Sequence, residues 1–233
     1  EAVREMARST LADPGSAGAR TTFVSVPVPE RIPVVTRVGG DRITPGDTFA
    51  GIYVHHAKRY QFASRFAEGK SVLDLGCGVG YGSRMLSRLA RRVVAIDVAP
   101  EALAYASRAY GADRLAFAAG DARRLPFADQ SFDLVVSFEM IEHIQEHREM
   151  LAEIARVLRP GGQLIVSTPN KLIYQHYPDP EHFHCGLLER REFEDLLRAE
   201  FGEVRLCAQP PFRALPEITH EFEVVPDVHA GQE

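Results

Sequence analysis

The stretch Val72-Leu73-Asp74-Leu75-Gly76-Cys77-Gly78-Val79-Gly80, with Gly82 two residues on, decides how the rest of the chain is read. An apolar run at 71–75 breaks into closely spaced glycines. A strand turning tightly into a helix needs them, because its backbone must take positive φ or pass close to a ligand. A Gly-x-Gly alone fits a plain turn or the pyrophosphate-binding turn of a dinucleotide enzyme. Asp74 argues against the pyrophosphate: a carboxylate at the strand end repels an anion and suits a cationic amino group, held directly or through water. Asp97 ends the next apolar run, where it can accept both hydroxyls of a ribose. Asp121 follows the third run in Gly120-Asp121-Ala122, placed to read an adenine amine.

Working outward, apolar strand-like runs occur at 71–75, 93–97, 115–119, 133–138 and 163–168, with helical candidates at about 82–90, 100–110, 143–158 and 189–200. Such alternation predicts parallel strands with crossover helices, an α/β doubly wound sheet. Two more runs, 203–208 and 221–225, have no long helix between them and are expected to pair antiparallel, making a seven-stranded, mostly parallel sheet in a single domain. Residues 1–22, rich in Ala, Ser, Gly and Arg, read as a disordered tail. Residues 23–69 read as an N-terminal extension or lid: Pro27, Pro29, Pro33 and Pro45 keep its first part extended, and helical spacing begins near Ile52. The core is expected over 70–233.

The 233 residues suffice for one sizeable α/β domain, and 45% hydrophobic with 25% charged residues is ordinary globular composition. A net charge of -5 lacks the basic footprint of a nucleic-acid partner. Cys77, Cys185 and Cys207 lack metal-type pair spacing and suit a reducing cytoplasm. No apolar run approaches a membrane span, so a cytoplasmic protein without a membrane partner is expected.

From about Lys70 to Phe201 the chain resembles the class I S-adenosylmethionine (SAM)-dependent methyltransferases, Rossmann-like enzymes. The resemblance rests on Leu-Asp-Leu-Gly-Cys-Gly-x-Gly, the strand-terminal Asp97, Gly120-Asp121-Ala122, Leu125-Pro126-Phe127, Ser131-Phe132-Asp133-Leu134-Val135 and Arg156-Val157-Leu158-Arg159-Pro160-Gly161-Gly162, in order. It implies that Asp74, Gly76, Cys77, Gly78 and Gly80 lie against the methionine part of SAM. It further implies that Asp97 holds the ribose, that Val98 flanks the adenine, that Asp121 and the Ala122 backbone read the adenine edge, and that Phe138 is a wall near the sulfonium.

A second constellation follows the fourth run in Ser137-Phe138-Glu139-Met140-Ile141-Glu142-His143. If the chain turns helical there, Glu139, Glu142 and His143 stand at i, i+3 and i+4 on one face. Two carboxylates and an imidazole suit a divalent ion, or a general base with its orienting partner; a Glu-His pair at a helix start can also be plain capping. The spacing looks like that of metal-dependent small-RNA 2′-O-methyltransferases, in which a later His completes a site for magnesium or a similar ion. Here that is His184, with His182 second. The pattern His56-x-x-Arg59-Tyr60, with the later Ser-Phe-Glu-x-Ile-Glu-His and Ser-Thr-Pro-Asn, looks like small methyltransferases of polysaccharide and sugar-bearing natural-product pathways. In that reading Arg59 pairs with the SAM carboxylate, or equally is a snorkelling residue of an amphipathic helix face; the metal set implied by the small-RNA enzymes is Glu139, Glu142, His143 and His184. Where such enzymes show Asn-Pro-Phe-His, this chain has Glu181-His182-Phe183-His184.

The reading is therefore a methyltransferase acting on a hydroxyl or amine of a sugar or sugar-containing small molecule, an antibiotic-type aminoglycoside among them, with SAM as cofactor and a divalent metal as a second candidate. His143, His184 and Glu139 are the catalytic candidates, and a homodimer is compatible. The alternatives are an RNA 2′-O-methyltransferase and a non-catalytic SAM-binding regulatory protein.

Overall fold

The computed structural model describes residues 50–174, 184–207 and 209. Helix α1 (Ala50–Ser64) leads into β1 (Ser71–Leu75), α2 (Tyr81–Leu86), β2 (Arg92–Asp97), α3 (Pro100–Tyr110), β3 (Leu115–Ala119) and β4 (Phe132–Phe138). A 3₁₀ turn at Ile141–His143 precedes α4 (His147–Val157), β5 (Leu158–Ser167), the short α5 (Lys171–Tyr174) and α6 (Arg190–Glu200). No helix of the described residues is long and apolar enough to cross a membrane.

The strands form one parallel sheet in the order β3-β2-β1-β4-β5. The chain runs from β1 outward to β3, then returns to the other side of β1 at β4. The reversal opens a crevice above the carboxyl ends of β1 and β4, where ligands of such sheets gather. The doubly wound α/β expectation holds, but the described sheet has five strands and not seven. Residues 203–207 form no strand, and 208 and 221–225 lie outside the described residues, as do the tail at 1–22 and residues 23–49.

Side chains alternate across each strand, so each strand feeds two cores. Leu73, Leu75, Ile96 and Val135 face α4 and α6, where Met150, Leu151, Ile154 and Val157 recur at helical spacing. Val72, Val93, Leu134 and Val136 face α1 and α2. Local signals fit the helices: Pro100 opens α3 with Glu101 in its first turn, and Glu189 and Glu192 form a reciprocal capping box on α6. The helix expected over 143–158 is shorter. Its first turn is replaced by the 3₁₀ turn, because Glu139 enters it with φ 50, outside the right-handed helical region.

Asp74 shares the parity of Val72 and therefore points off the sheet toward α1 and α2. It is fully buried. Its two oxygens accept hydrogen bonds from Tyr60 Oη of α1 (3.1 Å) and Ser83 Oγ of α2 (2.6 Å). Side-chain alternation sends it toward the α1–α2 side, where these two hydroxyls occupy it. Burial drives its pKa from 3.8 up to about 7, with the Asp97 charge adding, and the two hydroxyl bonds only partly offset the rise. Over this carboxylate the Tyr60 ring packs edge-on against Phe138 (5.0 Å) and Tyr81 (5.8 Å). It also fills the space beside Gly82, where an added Cβ would lie 2.1 Å from the ring.

Two outcomes test this joint. Gly82→Ala is expected to destabilise the chain by about 1–3 kcal/mol in urea unfolding through overpacking against Tyr60. Gly78→Ala, with nothing within 4 Å but φ +52, should cost only about 1–2 kcal/mol of backbone strain. For Asp74, the folded chain keeps a proton that the unfolded chain releases between pH 3.8 and about 7. Stability therefore falls as pH rises through that window, by about 1.4 kcal/mol per unit of displacement. Unfolding curves of Asp74→Asn should lose this part of the decline; an identical pH dependence in the variant would refute the assignment.

Candidate active site

The glycine turn carries β1 into α2 with Gly76, Gly78 and Gly80 all at positive φ (77, 52 and 85). Its fixed points are backbone: the N–H groups of Gly76 and Cys77 both donate to the Ile96 carbonyl of β2, at 2.8 and 2.9 Å, and Gly80 N–H donates to the Cys77 carbonyl at 3.0 Å. Around Gly76 a Cβ would strike Met140 and around Gly80 it would strike Ala106 and Phe117, whereas the space at Gly78 is open. The turn thus packs hard at both ends and presents its middle glycine to the crevice. Cys77 is buried, and burial pushes its thiol well up, so it acts as a small apolar residue rather than a nucleophile.

At the end of β2, Asp97 accepts from Gly78 N–H (2.8 Å) and Ala99 N–H (3.0 Å). One carboxylate therefore pins the glycine turn to the start of α3. Next to it Val98 is 68% exposed, unusual for a large apolar side chain, and offers a face to a flat ring. Ala122 is buried. Asp121 is held by Arg123 through several hydrogen bonds, the shortest 2.7 Å, and Arg123 also reaches Glu146 at 3.2 Å. Arg123 was not singled out in the sequence; its spacing of two from Asp121 was the available signal.

The second constellation assembles differently from the helical-face expectation. Glu142, His143 and His184 come together, with one potential ligand atom from each lying within 4.8 Å of the others. The two imidazole rings lie 4.9 Å apart, tilted by 33°. The segment at 184–188 is fastened there by Gly186 N–H, which donates to the Glu142 carbonyl at 2.7 Å, and Gly186 leaves no room for a Cβ against the Ile144 carbonyl. Glu142 is fully buried; Thr168 Oγ1 donates to Oε2 at 3.3 Å, and Oε1 has no hydrogen-bond partner. Burial first, then the nearby Glu139 charge, raise its pKa, against the pull of Thr168 and Arg59.

Glu139 stands apart from that trio. Its backbone N–H donates to the Ser167 carbonyl (3.1 Å), Ser167 Oγ donates to its Oε1 (2.6 Å), and the same oxygen lies 3.3 Å from Arg59 Nη1. Arg59 is held from behind by Gln209 Oε1 at 2.7 Å, and Gln209 Nε2 in turn donates to the His55 carbonyl. Beside Arg59, burial and that charge press His56 down to about 3, so it is a neutral packing residue of α1. Ser167, Thr168 and Tyr60 stand in the quoted motifs, but the partners they meet, and Gln209 altogether, are announced by no local spacing. His182 lies outside the described residues.

Known proteins bear on this arrangement. Residues 73–166 match the family model described as a methyltransferase domain. A probable SAM-dependent methyltransferase of Mycolicibacterium smegmatis is 34% identical over 176 residues, covering 74% of this chain and 68% of that protein. The O-methyltransferase cnsE of Penicillium expansum is 32% identical, covering 57% of this chain and 51% of that protein. Among solved structures, a Haloferax volcanii methyltransferase in complex with the Trm112 methyltransferase activator superposes with a TM-score of 0.57 at 30% identity, covering 64% of this chain and 70% of that one. A relative this similar, matched over two thirds of its own length, carries more than a shared fold, and the chain belongs to the SAM-dependent methyltransferase family.

Proposed function

We propose that the enzyme transfers the SAM methyl group to a hydroxyl of a sugar or sugar-containing small molecule. The observation that carries this reading is the meeting of Glu142, His143 and His184 beside the end of β4, on the side of the crevice away from Asp97. Methyl transfer from a sulfonium is an in-line displacement, so the site must chiefly align nucleophile, methyl and sulfur. In this reading the open face at Gly78 and the Asp97 carboxylate seat the cofactor, Val98 backs the adenine, and Asp121 meets its edge. A hydroxyl acceptor must also shed a proton as the new bond forms. Imidazole exchanges protons near neutral pH, so His143 or His184 takes it, with Glu142 and Thr168 orienting the pair. The polar character of the Glu142, His143 and His184 group supports a hydroxylated acceptor. The O-methyltransferase named among the relatives supports a hydroxyl over an amine.

The same trio fits a divalent ion by its donor chemistry: two imidazoles and a buried carboxylate whose Oε1 has no partner. Glu142, His143 and His184 would hold it, without Glu139, whose carboxylate is turned to Arg59 and Ser167. When bound there, such an ion lowers the pKa of a coordinated hydroxyl.

Calorimetry with S-adenosylhomocysteine is expected to show binding that Asp97→Asn weakens by about tenfold or more, with the melting temperature checked because Asp97 also pins the turn. Unchanged affinity would sink the cofactor placement. A mass shift of one methyl is expected on a sugar or aminoglycoside from a panel that includes short RNAs and fatty acids, and methylation of RNA or fatty acid alone would overturn the acceptor class. Run after exhaustive chelation, the same assay should lose activity and regain it with Mn²⁺; full activity in the chelated enzyme assigns the chemistry to the histidines alone.

A further inference from the structure

We propose that Glu139 is a stand-in for the carboxylate of the cofactor, holding Arg59 in the empty enzyme and losing it when the cofactor's own carboxylate arrives. The inference rests on the SAM reading above and adds a competition inside the site.

Arg59 is fixed at one edge and unsatisfied at the other. Its Nε is committed to Gln209 at 2.7 Å, which aims the guanidinium from α1 toward the crevice. Its Nη1 is buried without a hydrogen-bond acceptor, although Glu139 Oε1 lies 3.3 Å away. The pair therefore attracts by charge but is misaligned, in a fork built for bidentate carboxylate recognition. Both side chains are only 19% exposed, so a better-aligned anion entering there would meet little competition from water. Glu139 directly follows β4, so its contact with Arg59 places the guanidinium at the carboxyl end of that strand.

Glu139 has the complementary features. It takes φ 50, a left-handed conformation that costs a non-glycine residue strain. Two contacts to Ser167 hold it there, its own N–H to the Ser167 carbonyl and the Ser167 hydroxyl to its Oε1. The oxygen that Ser167 holds is the one nearest Arg59. A strained residue pinned so as to hold a misaligned, half-hidden ion pair is what a replaceable partner would look like. An α-carboxylate brought in by a ligand supplies two coplanar oxygens to the guanidinium, including Nη1.

The test is calorimetry on the full chain with two ligands, S-adenosylhomocysteine and 5′-methylthioadenosine, which shares the nucleoside but has no carboxylate. Glu139→Gln is expected to tighten S-adenosylhomocysteine by about three- to tenfold and leave 5′-methylthioadenosine unchanged. The gain should vanish when Arg59→Gln is added, and Ser167→Ala, which frees Glu139 without removing its charge, should give a smaller gain of the same sign. Unchanged or weaker binding of S-adenosylhomocysteine, equal tightening of both ligands, or a gain that survives the loss of Arg59 would overturn the competition. Binding of neither ligand by the unsubstituted protein would overturn the cofactor reading itself.

Discussion

The buried carboxylate of Asp74 is the constraint on which the rest of this site depends. It leaves the central strand β1 on the face covered by α1 and α2 and receives one hydroxyl from each helix. Burying a carboxylate is costly, and the two hydrogen bonds repay only part of that cost, so burial raises its pKa to about 7. What the arrangement secures is position. Tyr60 cannot move without orphaning Asp74, and the Tyr60 ring, wedged over Gly82 between Phe138 and Tyr81, sets where α1 lies against the sheet. Because Arg59 is the next residue on α1, the same joint fixes where its guanidinium enters the crevice.

The glycine turn and Asp97 were legible in the sequence because they are written in backbone requirements. Gly76, Gly78 and Gly80 are needed at positive φ, and Asp97 sits at a strand end whose boundary the apolar runs mark. Such features are local and survive any reasonable error in element length. Asp74 is marked by the same motif, but its partners Tyr60 and Ser83 come from α1 and α2, which the strand pattern does not name. The run at 203–207 forms no strand for a different reason, and the run at 221–225 lies outside the described residues. Residues 203–207 have strand-like composition but no partner among the described residues, and a β pattern without a neighbour is not a strand.

The acceptor half was legible only as a set of residue types. Glu142, His143 and His184 do converge, but not through the helical face that their spacing suggested. A 3₁₀ turn, set off by Glu139 at φ 50, brings Glu142 inward, and His184 arrives from a segment tied by Gly186 to the Glu142 carbonyl. Glu139, equally acidic and three residues earlier, is drawn instead to Arg59 and Ser167. Spacing alone cannot separate these two glutamates, because the partners that divide them come from α1 and the end of β5.

That division gives the crevice two electrostatic ends. Toward the glycine turn, positive character comes from Arg59, which suits the anionic end of an amino-acid ligand. Beyond β4, buried Glu142 and the paired imidazoles supply acceptors and exchangeable protons, which suits a hydroxyl that must become a nucleophile. In the proposed reaction, a methyl group passing between them departs a cationic sulfonium and reaches an oxygen that sheds its proton. Charge thus falls on the donor side as it is taken up on the acceptor side. Glu139 stands at the boundary, one residue beyond Phe138, with its carboxylate turned toward the cofactor side by Arg59. Its charge still reaches Glu142 and adds to the burial that raises the Glu142 pKa, while Arg59 acts in the opposite direction, so the guanidinium is what lets the two carboxylates share one strand end.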